Sequence, residues 1–348
     1  MADAREANAR RLRRLAQMRK TDSIKHASST LRGIWENGRK PGSIVLRSTL
    51  LAASEERSRL TELILPRGLA LRFYLLAAFE AQCRLEPGAP WRNVLPLKGS
   101  GSWSDLIAID GAYDAVSGSY GTASESTPGI LRSKKLGELR LRQVKGALRT
   151  LEGLGREDAL VTIPQGAKGQ RLYDRFLLMQ ETGRGKNQTP DIYTVPAPRW
   201  QAVETITLPA AFFLGGWIQV LNPSEVATWL ILRMLSKWAP RKHFVSGVFL
   251  TARLRMETYG LHDDAWEDGC RRLLEFGLIR RAELPKFEGA DESVVRSVFS
   301  QPSRPRRRYE PNYWQMTDAG LDQDAVAKLE KELTLRQKVL DSAAKTRA

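Results

Sequence analysis

Arg140, Arg142, Gln143, Lys145 and Arg149 fall close together on a stretch, 141–155, whose apolar members Leu141, Val144, Leu148 and Leu151 recur at helical spacing. That periodicity predicts a helix with one buried face, and it leaves Arg142, Gly146 and Arg149 together on the other side. The chemistry open to such a face is hydrogen bonding to nucleic acid, with all five polar side chains entering a major groove. Arginine engages guanine, and glutamine engages adenine, through two parallel bonds, so Arg142 and Gln143 are the candidates for reading base edges. Lys145 and Arg149 suit phosphate contacts, which position a protein without specifying sequence. Gly146 would let the helix backbone come close to the bases. The plain alternative is a solvated charged face.

The elements that must position this helix follow it directly. Gly155 closes it, since glycine tolerates the left-handed backbone with which helices commonly end. Residues 159–163 (Ala-Leu-Val-Thr-Ile) form a β-rich run, a Gly- and Lys-containing turn comes next, and 171–179 reads as a second strand. Lys168, Arg171, Arg184 and Lys186 would add backbone contacts from this hairpin. Upstream, Leu69, Leu71, Phe73, Leu75, Leu76 and Phe79 predict a well-buried first helix. A short second helix is expected over 103–109, capped by Ser102 or Ser104. The Gly/Ser/Ala-rich stretch 111–128 reads as a long inserted loop.

The same order returns further along. Asn222 can cap a helix with Pro223 in its first turn, running through Val226, Trp229, Leu230, Leu232, Met234 and Leu235. A second helix is expected near 249–259, ended by Gly260, and a third over 262–276, closed by Gly277. A strand at 278–284 would pair with 313–317, across a basic tip holding Arg304, Arg306, Arg307 and Arg308. Here the third helix opens on Asp263, Asp264, Glu267 and Asp268, where acids suit the positive end of the helix dipole but repel phosphates. Two outcomes stay open. This half contacts DNA through Arg271, Arg272 and the arginine-rich tip, with arginine in a minor groove, or its acidic helix is a protein-contact surface for self-association or a basic partner.

The run Leu273-Leu274-Glu275-Phe276-Gly277-Leu278-Ile279 resembles the winged helix-turn-helix superfamily, in which a helix enters the major groove beside a β-hairpin wing. Two such units in one basic chain resemble the tandem winged-helix plasmid replication initiators, over roughly residues 60–321. The resemblance implies a mainly α fold with small β-wings (α+β), two tandem winged-helix domains, and sequence-specific binding of double-stranded DNA at origin repeats. It also implies contacts with host replication proteins. A transcriptional regulator or partition-site binder fits the same fold. So does a winged-helix protein-interaction adaptor.

Composition narrows the classes. The 348-residue chain carries 55 Lys and Arg against 39 Asp and Glu, a formal charge of +16. Such an excess favours a polyanionic partner. No apolar run is long enough to span a bilayer and the N-terminus is charged, so no membrane association and a cytoplasmic, nucleoid- or plasmid-associated location are expected. Cys83 and Cys270 fit buried reduced thiols. His26, His243 and His262 form no metal-binding pair. Gly183-Arg184-Gly185-Lys186 lacks the spacing and hydroxyl of a nucleotide-binding loop, and no serine-nucleophile elbow occurs. The expectation is a non-enzyme without a cofactor. Four segments follow: a basic arm and linker over 1–59, either lying on DNA backbone or solvated; a first unit over 60–197; a second over 198–321; and a terminal helix over 322–348, packed on the second unit or forming a short coil. Trp217, Trp229, Trp238 and Trp266 are expected in the core.

Overall fold

A computed structural model describes residues 2–52, 57–64, 69–107, 112–114, 119–121, 129–155, 157–182, 190–197, 205–282 and 312–346. The chain is mainly helical with small antiparallel sheets. In order it forms α1 (Ala2–Lys20), α2 (Ser23–Glu36), β1 (Ser43–Arg47), α3 (Leu60–Ile64), α4 (Leu69–Arg84), β2 (Ala112–Asp114), β3 (Ser119–Gly121) and α5 (Gly129–Glu152). There follow β4 (Val161–Thr162), β5 (Leu177–Leu178), β6 (Thr205–Pro209), α6 (Ala210–Leu214), α7 (Trp217–Val220), α8 (Pro223–Trp238) and α9 (Pro240–Ser246). The last elements are α10 (Ala252–Tyr259), α11 (Asp263–Glu275), β7 (Ile279–Arg281), β8 (Trp314–Met316) and α12 (Ala325–Lys345). No described helix is long and apolar enough to cross a membrane.

α4 is the centre of the first half. Every residue from Ala70 to Cys83 is buried, so it packs on all sides, against α2, α3, β1 and α5. Even its polar members are used. Gln82 donates to the Val45 carbonyl at 2.7 Å and accepts from the Val45 amide at 2.8 Å, which fixes β1 to the helix. Arg47, at the end of β1, pairs with Glu181 at 2.9 Å with both side chains almost wholly buried. That pair joins β1 to the segment after β5.

The second half is built on α8. Asn222 and Glu225 form the capping box that opens it, with the Asn222 amide donating to the Glu225 carboxylate at 2.9 Å. α11 packs along α8 through Trp266, Cys270 and Leu273, and Gly277 (φ 75°) turns the chain into β7. β7 pairs antiparallel with β8 in the register Ile279↔Met316 to Arg281↔Trp314, and Val248 bridges to the other edge at Trp314. This follows the order expected from the sequence.

Other expectations are corrected. The stretch 101–107 folds as turns and not as the start of a helix, with Trp103 held by its indole N–H to Asn93 at 2.8 Å. Ser102 and Ser104 hydrogen-bond each other at 2.8 Å rather than capping. Within 111–128, β2 and β3 pair as a short hairpin. α2 and the β1–β6 pair went unforeseen. β1 lies in the expected linker, yet it pairs with β6 from Ser43↔Pro209 to Arg47↔Thr205, across both expected boundaries at 60 and 198. The hydrophobic core is continuous from Leu15 to Leu329. Trp217, Trp229 and Trp266 are buried as expected, but Trp238 is half-exposed because α8 ends there.

The basic arm is docked. α1 packs along α12 and buries Asn8, Leu15 and Met18. Arg11 forms an ion pair with Glu225, both nearly excluded from solvent, and Asn8 donates to the Leu333 carbonyl at 2.9 Å. Enough of its few apolar residues fall on one face to seat the helix, and its arginines find carboxylates. α12 therefore packs chiefly against α1 and α7.

Candidate nucleic-acid interface

Two exposed arginines lie on the C-terminal part of α5. Val144, Ala147, Leu148 and Leu151 are buried, which orients the helix and turns Arg142 and Arg149 out to solvent. Between them a Cβ added at Gly146 would meet nothing within 4 Å. The protein thus presents two arginines, two turns apart, flanking a bare stretch of helix backbone. Gln143 and Lys145 border this stripe and are half-buried. The Lys145 ammonium sits 5.1 Å from the Tyr173 ring centre, a contact that limits its reach.

The hairpin beside α5 is fixed to it. Gly155 takes the left-handed backbone (φ 103°), and the Leu160 amide donates back to the Leu151 carbonyl at 3.0 Å. β4 and β5 pair as Val161↔Leu178 and Thr162↔Leu177, and Gln165 bridges to Arg171 nearer the tip. Glu152 clamps the junction, accepting from the Ile163 amide at 3.0 Å and pairing with Arg171 at 2.7 Å. Beneath the hairpin, Phe176 packs against Phe73, Trp91 and Trp103 at 5.6, 5.2 and 5.7 Å between ring centres. Burying a side chain of this kind contributes about 1.5–3 kcal/mol, so the hairpin is anchored to α4 rather than loosely attached. Lys168 stands exposed in the turn.

Of the candidates named from the sequence, the fold brings Arg142, Gln143, Lys145 and Arg149 to one helix, with Lys168 and Arg171 on the adjoining hairpin. Arg140 departs from this set. It is half-buried, burial lowers its pKa, and the nearby Asp105 carboxylate offsets part of that effect. Its position is on the flank of α5 that meets the 101–107 turns, so it serves packing rather than the open stripe. Arg184 and Lys186 lie outside the described residues.

The second half is arranged differently. Arg272 is turned inward, bonded to Glu275 at 3.0 Å and to Asn8 of α1 at 3.1 Å, and burial lowers its pKa. The reading that it touches DNA does not hold for this geometry. Arg271 is exposed but pairs with Asp268 at 3.2 Å. Asp263 and Glu267 take the buried Arg255 guanidinium, at 2.8 and 3.6 Å, which gives these carboxylates a structural task the sequence did not reveal. Arg280 and Arg281 on β7 are exposed and were not foreseen. Arg304, Arg306, Arg307 and Arg308 lie outside the described residues.

Cys83 and Cys270 are free and buried, and burial pushes the Cys83 thiol up to about 12. Among the described residues no group of three or more His, Cys, Asp or Glu side chains is placed to hold a metal ion. Compared with known proteins, the chain matches no family model, no curated protein and no solved structure.

Proposed function

We propose that this protein is a sequence-specific, non-catalytic binder of double-stranded DNA, with α5 as its reading helix and the β4–β5 hairpin as a wing. The observation that carries this reading is the open stripe Arg142–Gly146–Arg149 on a helix whose opposite face is locked in the core. The stripe has the width and donors to enter a major groove, where Arg142 meets a guanine edge and Arg149 a phosphate. Lys168 at the hairpin turn reaches the backbone alongside. A charge of +16 supplies the long-range attraction.

In this reading the order α4, α5, β4–β5 is one winged-helix unit and the order α8, α10, α11, β7–β8 is a second. Two units on one chain suit repeated sites, which favours a plasmid replication initiator acting at origin repeats in the nucleoid or on a plasmid. A role as a protein-contact module is a second reading for the second unit alone, because on α11 Arg272 is turned inward and Arg271 is paired with Asp268.

Selection of bound fragments from genomic and plasmid DNA by the purified protein, at near-physiological salt, tests the proposal. Low salt must be avoided because counterion release makes any basic protein hold DNA. Enrichment of a repeated site supports the initiator, and single promoter sites support a regulator. No enrichment removes the DNA-reading proposal.

A further inference from the structure

From Val226 to Met256 the chain has no Asp or Glu, while Arg233, Lys237, Arg241, Lys242, Arg253 and Arg255 are all present. Most of these are occupied within the fold. Arg233 pairs with Asp318, Arg253 with Glu257 and Arg255 with Asp263, and the Lys237 ammonium donates to Thr205. Arg241 and Lys242, both on α9, are exposed and meet no described carboxylate.

The same helix exposes a ring. Phe244 is 83% exposed, Val245 57%, and Trp238, where α8 passes into α9, 50%. His243 points inward, its Nε2 accepting the Met316 amide at 2.7 Å. By helical spacing Arg241 and Val245 then stand on the opposite side, with Lys242 and Phe244 on the flanks. The Lys242 ammonium lies 4.5 Å from the Phe249 ring centre, and Phe249 packs edge-on against Tyr313 at 4.9 Å. A third cation joins from β7. The Gln315 side-chain amide donates to the carbonyls of His243 and Phe244, at 2.9 and 2.8 Å, and its oxygen accepts from Arg280 Nε at 3.0 Å. Arg280 is exposed and meets no described carboxylate, and its charge adds to burial in lowering the His243 pKa. One side chain, Gln315, thus fixes both α9 and Arg280, so cations and rings are held on a formed surface rather than on a frayed helix end.

We infer that the face formed by α9 and Arg280 is a binding surface for single-stranded DNA, with phosphates on Arg241, Lys242 and Arg280 and a base stacked on Phe244. The charge of this face is complementary to a phosphate backbone. A duplex would satisfy the three cations, but its bases are stacked on one another and leave Phe244 uncovered. A single strand offers phosphates and open base faces together, and every base has a face that an aromatic ring can take. An anionic bilayer would also meet the cations, but a helix lying in a bilayer surface buries an unbroken apolar face. Here the outermost side of α9 carries Arg241 beside Val245. The match of rings and cations does not depend on α5, whereas the choice of DNA over RNA rests on the DNA reading proposed above.

Fluorescence anisotropy of labelled oligothymidylate, which forms no duplex with itself, tests this with the full-length protein over a range of salt. The expected result is binding whose log affinity falls against log salt with a slope of about −2, as three phosphate contacts on a single strand give. Phe244→Ala, a change at an exposed position, should weaken binding roughly 5- to 150-fold, the loss of one stacked base. Replacing both Arg241 and Lys242 with alanine should reduce the slope by about 1.4. Phe244→Ala should leave affinity for duplex DNA unchanged, whereas Arg142→Ala should act on the duplex site, so the two readings fail separately. Absence of oligothymidylate binding, or binding that Phe244→Ala does not weaken, overturns the inference. Tighter binding of oligouridylate, lost with the same substitution, would overturn the choice of DNA and assign the face to RNA. Binding to vesicles of phosphatidylglycerol and phosphatidylcholine that Phe244→Ala abolishes, with oligothymidylate unaffected, would assign α9 to a membrane surface instead.

Discussion

Replacing Gly146 with alanine separates stability from DNA reading, because the two should move in opposite directions. Inside the protein the new methyl group meets nothing within 4 Å, so no packing is disturbed. Glycine within a helix costs about 0.8–1 kcal/mol relative to alanine, so Gly146→Ala should stabilise the chain by about that amount. For a protein of this size that corresponds to a rise in Tm of roughly 2 °C. Toward DNA the effect reverses, since the methyl stands between Arg142 and Arg149 at the point of closest approach. Lifting the helix off the base edges should forfeit about 1–3 kcal/mol, the value of one well-made bidentate pair, or roughly 5- to 150-fold in affinity for the selected site. Differential scanning fluorimetry and fluorescence anisotropy on one preparation read both quantities. A variant that is more stable yet binds its site as tightly as the parent would refute the claim that the backbone at Gly146 approaches DNA.

Other predictions concern the remaining contacts. Lys168→Ala should lower affinity for all duplexes alike and reduce the slope of log affinity against log salt by about one, as a phosphate contact does; a change in sequence preference would show that the hairpin reads bases. Glu181→Gln leaves Arg47 charged inside the core and should destabilise the fold by about 3–5 kcal/mol in urea denaturation, the usual cost of breaking a buried pair from one side. Removal of residues 1–20 should lower the unfolding midpoint and expose α12 to proteolysis, whereas a free arm would be lost without effect. Burial, aided by the Arg280 charge, lowers the pKa of His243, and its Nε2 must be unprotonated to accept the Met316 amide. A base whose pKa is depressed by folding contributes stability above its unfolded pKa of about 6.5 and loses it as pH falls. An NMR titration of His243 should therefore give a midpoint below that value, and a midpoint above it would contradict the placement of α9 on β8.

How much of this was legible in the sequence varied with the kind of signal. α5 and α11 were readable because their apolar residues keep helical spacing, α8 from its Asn222–Pro223 start, and α10 from Gly260 at its end. The pairing of β7 with β8 was readable because Gly277 ends α11 directly before Leu278-Ile279 and the second strand carries Trp314 and Met316. β1 and β6 were not, since five-residue strands far apart in sequence reveal their partner only once α4 has formed between the halves. The docking of α1 was hidden for a related reason. It rests on Arg11 with Glu225 and Asn8 with Leu333, contacts between residues hundreds of positions apart. The stripe Arg142–Gly146–Arg149 followed from periodicity alone, but Arg140 and Arg272 could be told from reading residues only by the carboxylates that the fold brings near them.

The central claim is that α5 distinguishes one DNA sequence from another. The ratio of affinities for the selected duplex and a scrambled duplex, measured at near-physiological salt for the parent and for Arg142→Ala with Arg149→Ala, tests it most directly. The account predicts that the double substitution lowers specific affinity more than nonspecific affinity, with the ratio falling by at least the roughly 1–3 kcal/mol expected of a base-reading contact. An unchanged ratio would contradict it and leave the stripe as a solvated face of a protein that recognises something else.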